Sequence, residues 1–510
     1  MTAILPRNAI VVLLDSLNRH MLGAYGGTEF ETPNLDRFAK DAVRFTRHYT
    51  GSLPCMPARH DILCGALDFL WKAWGSVEIW EDAITYALRE TGVVTQLISD
   101  HPHLFEAGGE NYHHDFSAWD YQRGHEGDAW KTRPDPSWAG APAFGRPWMP
   151  YDNSRGWFRS EADFPGPKTM AATARWIEEN AGAAGRGGDG RFLLFVDEFD
   201  PHEPFDTPEP WASKYDPDWQ GPRLIWPPYA VGAIERGIID ERQGRQIRNQ
   251  YGAKLSMIDH WFGKVLDAIE AKGLWDDTLV IVVTDHGHYL GEKDCWGKPC
   301  CPVYQALGHI PLMIRAPGVP AGACEALTTA VDVFATLADL FGVSVRQRTH
   351  GRSLMPLLAG EATSVRDALL TGVWGREVVL VTERHKYVRA PVGANAPLSM
   401  LSNRWSTMPT HGALDAKLAL PFPDDRAFLD HMPGSDLPVI HQTWREGDRV
   451  PFWAWVRMNG NHVYDLENDP HETENLAGGP LEAQLAEQLR AELLALEAPA
   501  TQFERLGLSA

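Results

Sequence analysis

Positive charge is scarce in this 510-residue sequence, in which 47 lysines and arginines face 68 aspartates and glutamates. The formal net charge of −21 argues against nucleic acid as a partner, because protein cations must replace the counterions of phosphate. The charge also provides no long-range attraction for an anionic substrate. Any site for an anion therefore has to be built from local groups.

Long hydrophobic runs and disulfide-type cysteine spacings are missing as well. The apolar run at residues 9–14 is too short to span a membrane, and it ends at Asp15 rather than at a small-residue cleavage site. We therefore expect no export signal and no membrane partner. Free thiols in a cytoplasmic protein are expected for the six cysteines, which are Cys55, Cys64, Cys295, Cys300, Cys301 and Cys324.

Short apolar runs alternate with helical periodicity along the first 370 residues. The runs predict strands at residues 9–14, 93–98, 192–196 and 279–283. The periodic stretches predict helices at residues 33–45, 169–180 and 241–272. This alternation predicts an α/β fold in which helices sandwich a large, mostly parallel sheet.

The length and a change of texture near residue 370 predict a second, smaller unit. We expect a catalytic α/β domain at residues 1–368 and an α+β subdomain at 369–510, with adjacent strands near 377–382 and 386–388 and a helix near 481–497. An insertion at about 390–455 is rich in Pro, Met and Trp, which favours an active-site lid or an oligomer contact over disorder. A homo-oligomer is therefore compatible with the sequence.

Acids and histidines stand where the predicted strands stop. In an open α/β sheet, ligands bind outside the carboxyl ends of the strands. One such acid could cap a helix, but four with neighbouring histidines indicate a shared site. The residues at these strand ends are Asp15, Asp100, Asp197, His202, Asp285 and His286.

Cys55 is predicted to lie at the N-terminus of a short helix. Pro57 suits the first helical turn and Gly65 suits the helix end. Free backbone N–H groups at such a terminus favour an anion, and Arg59 one turn later adds a fixed positive charge. From Cys55 alone, a reactive cysteine and a buried structural cysteine are equally compatible.

The longer string Cys55-Met56-Pro57-Ala58-Arg59, followed by Leu63 and Gly65, resembles the signature of the formylglycine-dependent sulfatases. That signature is Cys-x-Pro-x-Arg followed by Leu-x-Gly, in the sulfatase and phosphonate monoester hydrolase branch of the alkaline phosphatase superfamily. The resemblance implies an alkaline phosphatase-like fold and a small-molecule sulfate ester as substrate. It also implies that a formylglycine-generating enzyme converts Cys55 to formylglycine (3-oxoalanine).

Two further segments resemble the metal strands of this family, one beginning at Leu14-Asp15-Ser16 and one at Val283-Thr284-Asp285-His286-Gly287. The resemblance implies a divalent cation held by Asp15, Cys55, Asp285 and His286. It favours Ca²⁺, with Mn²⁺ or Zn²⁺ as alternatives, since imidazole also suits those ions. Ser16 stands where relatives often carry a second acid or amide, which leaves open whether this position supplies a ligand.

The catalytic residues are also implied by resemblance. Arg59 and Lys298 would offset charge on the sulfuryl oxygens, and His202 or Lys298 would protonate the leaving alcohol. Relatives commonly carry Gly-Lys-Trp-His where this chain reads Asp100-His101-Pro102-His103, so that lysine is missing. His101 or His103 would then accept the proton that releases sulfate, with His103 slightly preferred.

Three other functions remain open from the sequence. A phosphonate monoester or phosphodiester hydrolase would use the same scaffold and nucleophile. A non-catalytic binding protein could have kept the pocket. A redox or zinc module could be built on Cys295, Cys300 and Cys301, although structural thiols are favoured because no second ligand pair stands at zinc spacing.

Overall fold

The structure is a computed structural model that describes residues 6–140, 148–181, 190–298, 300–405, 423–445, 447–448, 450, 452–455 and 457–509. Within these ranges, no helix combines the length and the apolar character needed to cross a membrane.

The secondary structure alternates strands and helices up to about residue 360. The strands are β1 (Asn8–Leu14), β2 (Val43–Tyr49), β3 (Ser52–Leu53), β4 (Val94–Ser99), β5 (Ala118–Tyr121), β6 (Phe192–Glu198), β7 (Ala230–Val231), β8 (Thr278–Val283), β9 (Tyr289–Leu290), β10 (Cys295–Gly297), β11 (Leu312–Arg315), β12 (Gly322–Thr329), β13 (Ala368–Val373), β14 (Val378–Thr382), β15 (His385–Arg389), β16 (Leu398–Ser402), β17 (Phe428–His431), β18 (Pro438–Trp444) and β19 (His462–Asp465). The α-helices are α1 (Pro33–Lys40), α2 (Cys55–Cys64), α3 (Ile84–Glu90), α4 (Met149–Arg155), α5 (Pro165–Asn180), α6 (Glu241–Ala271), α7 (Gln305–Gly308), α8 (Val331–Phe341), α9 (Met355–Leu358), α10 (Pro480–Ala495) and α11 (Ala500–Arg505).

The main sheet has eight strands in the order β12-β2-β11-β8-β1-β6-β4-β5. Neighbouring strands are parallel except at β11, which runs against both β2 and β8. Alternate residues of the fully buried β1 enter two different cores: Val11 joins one and Val12 the other. Because successive side chains of a strand point to opposite faces, both faces of the sheet are covered. The predicted α/β fold with a mostly parallel sheet is confirmed.

One predicted helix is wrong in its second half. The structure ends α1 at Lys40, and residues 43–49 form β2 instead of continuing the helix predicted at 33–45. Phe45 continues the helical spacing of Leu35, Phe38 and Ala42, whereas Val43 and Phe45 together fit a strand alternation. Pairing of this segment with β11 and β12 decides in favour of the strand.

A second sheet of five strands has the order β19-β15-β14-β13-β3. Strand β3 comes from the N-terminal part of the chain and pairs in parallel with β13, with Ser52 opposite Gly372 and Leu53 opposite Val373. Strand β13 begins at Ala368, and the division of the chain into two domains at this point stays a prediction. The strand directly before Cys55 therefore belongs to the sheet that the C-terminal region builds.

The predicted insertion at 390–455 contains an antiparallel sheet in the order β16-β18-β17. Residues 406–422 of this insertion lie outside the described residues. The described part is held to the N-terminal region through Glu78, whose carboxylate accepts hydrogen bonds from Ser402 Oγ (2.6 Å) and from the backbone N–H of Asn403 (2.7 Å).

Candidate active site

The polar strand ends meet at one edge of the main sheet. Strands β8, β1, β6 and β4 are consecutive neighbours, and all four run in the same direction. Their carboxyl ends carry Asp285, Asp15, Asp197 and His101, respectively. This edge is the place at which an open parallel sheet binds its ligands.

Helix α2 adds the predicted cysteine to this edge. It begins at Cys55 and includes Pro57 in its first turn, as the sequence predicts. Gly65 ends the helix with a left-handed φ of 79°, a conformation that favours glycine. Arg59 follows one turn after Cys55 and extends to the strand ends.

Four side chains converge as a candidate metal group. Asp15, Cys55, Asp285 and His286 are buried, and one potential ligand atom from each lies within 4.8 Å of all the others. His286 Nδ1 donates to the carbonyl oxygen of Gly287 at 2.9 Å, so the unprotonated Nε2 is the nitrogen that faces Cys55 Sγ at 3.3 Å. This is the tautomer that a metal ligand requires.

Arg59 joins the helix to three carboxylates. Its guanidinium is fully buried and donates two hydrogen bonds to Asp197, at 2.8 and 2.6 Å. It also contacts Asp15 at 2.9 Å and Asp285 at 2.8 Å. The sequence identified Asp197 only as a strand-end acid; its position beside a buried arginine reveals its role as the bidentate partner.

The electrostatics of the group leave negative charge to be balanced. Burial opposes ionisation of Asp15, but Lys298 and Arg59 hold the pKa of its carboxyl well below the usual range. Burial and then the charge of Asp15 raise the pKa of Asp285 to about 7. Burial and the same charge raise the pKa of the Cys55 thiol. Oxygen ligands with surplus negative charge and one neutral imidazole fit a divalent cation.

Ser16 links the metal group to Lys298. Its hydroxyl donates to Asp15 Oδ1 at 2.6 Å and accepts from Lys298 Nζ at 2.8 Å. The backbone of Ser16 has a φ of 64°, an uncommon value for a residue with a side chain, which is often found at functional sites. Ser16 thereby places the Lys298 ammonium next to Asp15.

His101 faces the group with free ring nitrogens. It is fully buried and packs against Phe199, with ring centroids 4.3 Å apart. Within the described part of the chain, neither ring nitrogen has a hydrogen-bond partner, although Nδ1 lies 3.9 Å from Asp197 Oδ2. Burial and then the charge of Arg59 lower the pKa of His101 well below its usual value.

His103 has the opposite environment. Glu106 binds its Nδ1, and Glu126 Oε2 lies 3.3 Å from its Nε2. Burial favours neutral His103, but Glu106 and Glu126 outweigh it and raise the pKa to about 10. No sequence pattern marked Glu126. Trp74 contacts the His103 ring edge-on and stacks on Trp453 of the insertion, so the insertion forms part of this wall.

His202 lies on the same aromatic platform. Its ring stacks on Phe199 with centroids 4.0 Å apart, and its Nδ1 bonds the backbone carbonyl of Glu203 at 2.6 Å. Burial lowers the pKa of His202 to about 4, against the raising effect of the Glu203 carboxylate. Nε2 is therefore the nitrogen left to meet a substrate.

Two other groups of potential ligands suit a metal ion less well than Asp15, Cys55, Asp285 and His286; they are Asp100, His125, Asp200 and His60, Cys64, Glu81. In each of them a histidine Nε2 is already hydrogen-bonded to a carboxylate, at 2.7 Å for His125 with Asp200 and at 2.8 Å for His60 with Glu81. Asp100 Oδ1 also accepts a hydrogen bond from the backbone N–H of Phe199.

The cysteines near Lys298 do not form such a group. Among the residues that the structure describes, no cluster of three potential ligands includes Cys295, Cys300 or Cys301. All six cysteines are free thiols. This arrangement gives no support to a zinc module around Lys298.

Comparison with known proteins agrees with this geometry. The family model described as Sulfatase matches residues 7–343. A choline-sulfatase from Rhizobium meliloti (strain 1021) is 29% identical over 387 residues, which cover 69% of this chain and 72% of that protein. The multifunctional alkaline phosphatase superfamily protein PehA of Trinickia caryophylli is 26% identical over 415 residues, covering 69% and 77%.

Solved structures share the fold. The phosphonate monoester hydrolase of Agrobacterium radiobacter superposes with a TM-score of 0.63 at 21% identity, covering 97% of this chain and 95% of that chain. A 2-O glycosaminoglycan sulfatase, BT1596, gives a TM-score of 0.60 at 16% identity, covering 96% and 93%. The predicted alkaline phosphatase-like architecture is thus confirmed. Because the family model spans more than half of the sequence and includes every strand end of the site, the chain belongs to the sulfatase family of hydrolases.

Proposed function

We propose that this hydrolase cleaves sulfate esters at the edge formed by β8, β1, β6 and β4, with Cys55 converted to formylglycine. The observation that carries the proposal is the convergence of Asp15, Cys55, Asp285 and His286 within 4.8 Å. These four residues would hold one divalent cation. Ca²⁺ is proposed from the family resemblance, with Mn²⁺ and Zn²⁺ as alternatives for a site that contains imidazole.

The bound cation would supply Lewis acidity, and modified Cys55 would supply the attacking hydroxyl. Arg59 is fixed by three carboxylates, so its positive charge cannot move away when the ester binds. Lys298, placed by Ser16, adds a second positive charge. Preorganised charges of this kind stabilise the charge that develops on the sulfuryl oxygens.

His101 is proposed as the group that accepts the proton when sulfate is released. A general base needs a free lone pair, and both ring nitrogens of His101 lack partners among the described residues. Both nitrogens of His103 face carboxylates, which favour its protonated form. The geometry thus supports His101 over His103, the residue that the sequence alone slightly favours.

This assignment is tested by two matched variants. His101→Gln should lower kcat by ~10²–10⁴-fold, the usual contribution of a general base, whereas His103→Gln should lower it far less. A larger loss of kcat in His103→Gln than in His101→Gln would assign the proton-accepting role to His103.

The conversion of Cys55 is tested by mass spectrometry. The tryptic peptide that spans Cys55 from active enzyme should carry the mass of formylglycine, and a fully unmodified thiol would refute this part of the proposal. A formylglycine-generating enzyme is the proposed maturation partner. The six free cysteines support a cytoplasmic location.

Hydrolysis of phosphonate monoesters is the second candidate, because the same donor set and the same positive charges fit a phosphonate. PehA, a relative named as multifunctional, also favours testing it. Turnover of 4-nitrophenyl sulfate is compared with that of an aryl phosphonate monoester at fixed metal concentration. Choline sulfate is included because a choline-sulfatase is among the relatives. Faster cleavage of the sulfates supports the first candidate, and faster cleavage of the phosphonate supports the second.

A further inference from the structure

Glu203 is a buried carboxylate beside the site to which the roles above assign no function. It directly follows His202 and is 1% exposed. Burial of a carboxylate is costly unless other groups pair with it. Its contacts therefore indicate what keeps it there.

Two side chains contact the two oxygens of the Glu203 carboxylate. The Tyr229 hydroxyl donates to Oε1, and His288 Nε2 lies 3.0 Å from Oε2. His288 Nδ1 faces the carbonyl oxygen of Tyr289 at 3.0 Å, and a carbonyl can only accept. Nδ1 therefore donates to that carbonyl, and Nε2 is the nitrogen that faces the Glu203 carboxylate.

His288 lies beyond the end of β8, which is at Val283. It is fully buried, and its Nε2 contacts the Glu203 carboxylate.

The oxygen that contacts His288 also lies near His202. Glu203 Oε2 lies 3.6 Å from His202 Nδ1, the nitrogen that bonds the Glu203 backbone oxygen at 2.6 Å. Phe199 covers one face of the His202 ring. These contacts fix the ring and leave Nε2 for the substrate. Other charges near His202 come from Lys298, Asp15 and Glu126.

We propose that Glu203 is a positioning residue for His202, held by Tyr229 and His288, and that it makes His202 the proton donor to the leaving alcohol. This inference rests on the hydrolase function proposed above. Burial keeps His202 neutral in the free site, and the negative charges of Glu203 and of the bound ester oppose this effect and favour the imidazolium form. When the S–O bond breaks, the electron pair goes to the ester oxygen. The proton moves from His202 Nε2 to that oxygen, and solvent then reprotonates the imidazole.

The test uses two sulfate esters that differ in their need for a proton. An alkyl sulfate releases a strongly basic alkoxide, whereas 4-nitrophenyl sulfate releases a stable phenolate. In the full-length enzyme with its metal, Glu203→Gln should lower kcat for the alkyl ester by ~10–100-fold, the usual effect of losing such a partner. The nitrophenyl ester should change by a much smaller factor. Tyr229→Phe retains the Glu203 carboxylate. It should therefore lower the ratio of kcat for the alkyl ester to kcat for the nitrophenyl ester by a smaller factor than Glu203→Gln does.

Glu81→Gln is the matched control, because Glu81 is also a buried glutamate that bonds a histidine, at 2.8 Å. It should change turnover of both esters by one common factor. Equal losses on the two esters in Glu203→Gln would overturn the proposal. If Glu203→Gln does not fold, an unchanged ratio in Tyr229→Phe overturns it. If the wild-type enzyme hydrolyses only phosphonates, the same comparison is made with alkyl and 4-nitrophenyl phosphonate monoesters. If the wild-type enzyme hydrolyses neither sulfate esters nor phosphonate monoesters, the proposed function itself is refuted.

Discussion

Arg59→Met keeps the length of the side chain that joins helix α2 to the sheet but removes its positive charge. In the wild-type chain the fully buried guanidinium contacts Asp15, Asp197 and Asp285 at 2.6–2.9 Å. Removing one partner of a buried ion pair costs about 3–5 kcal/mol, because the other charge stays buried without compensation. Three carboxylates lose their partner here, so we expect a loss of at least ~3 kcal/mol in the free energy of unfolding.

The assay is urea unfolding at pH 7, followed by tryptophan fluorescence, with chelator and with Ca²⁺. The loss should be larger with chelator, since a bound cation replaces part of the missing charge. Arg384→Met is the matched control. Arg384 contacts Asp465 at 2.6 Å but is 52% exposed, and such surface pairs contribute about 0–1 kcal/mol. A loss for Arg59→Met no larger than that of Arg384→Met in chelator would refute this account of the buried network.

Three further outcomes are expected. Asp285→Asn removes a charged ligand, so the purified variant should retain less metal after dialysis than the wild type, and equal metal content by mass spectrometry would contradict the proposed ligand set. The folded-state pKa of His103, about 10, lies above the ordinary histidine value of ~6.5, so its stabilising effect is complete below pH ~6.5 and is lost as the pH rises through 10. The difference in unfolding free energy between wild type and His103→Gln should therefore shrink across that window, and a constant difference would argue against the two carboxylate contacts. Gly65→Ala would place a Cβ 2.4 Å from Cδ1 of Phe334 at a φ of 79°, so thermal unfolding should show a loss of ~1–3 kcal/mol, and a stability equal to wild type would contradict the left-handed end of helix α2.

Much of the site follows from local sequence rules. Pro57 and Gly65 mark the two ends of a helix through their backbone restrictions alone, so the position of Cys55 at the helix start was predictable. Asp15 and Asp285 follow buried strands, and parallel strands bring such ends together without further information. The edge of the sheet that carries the candidate active site could therefore be predicted from the sequence alone.

Other features depend on contacts that no local pattern encodes. Residues 43–49 have apolar spacing that suits either a helix or a strand, and only pairing with distant strands decides between them. Glu126 and Glu203 are single acids in loops, and their relation to His103 and His202 arises from tertiary placement. The choice between His101 and His103 depends on the same placement, because their sequence neighbourhood is shared.

Strand β3 has a consequence for the order in which the chain acquires its structure. Ser52 and Leu53 pair with residues 372 and 373, so the segment that leads into Cys55 cannot complete its sheet until the ribosome has made those distant residues. At ~5–20 residues per second, this interval lasts ~15–60 s. In the finished fold Cys55 is 3% exposed, which closes it to an enzyme of ordinary size. Late pairing of β3 would thus leave a period during synthesis in which the maturation enzyme proposed above could reach Cys55 before the fold buries it.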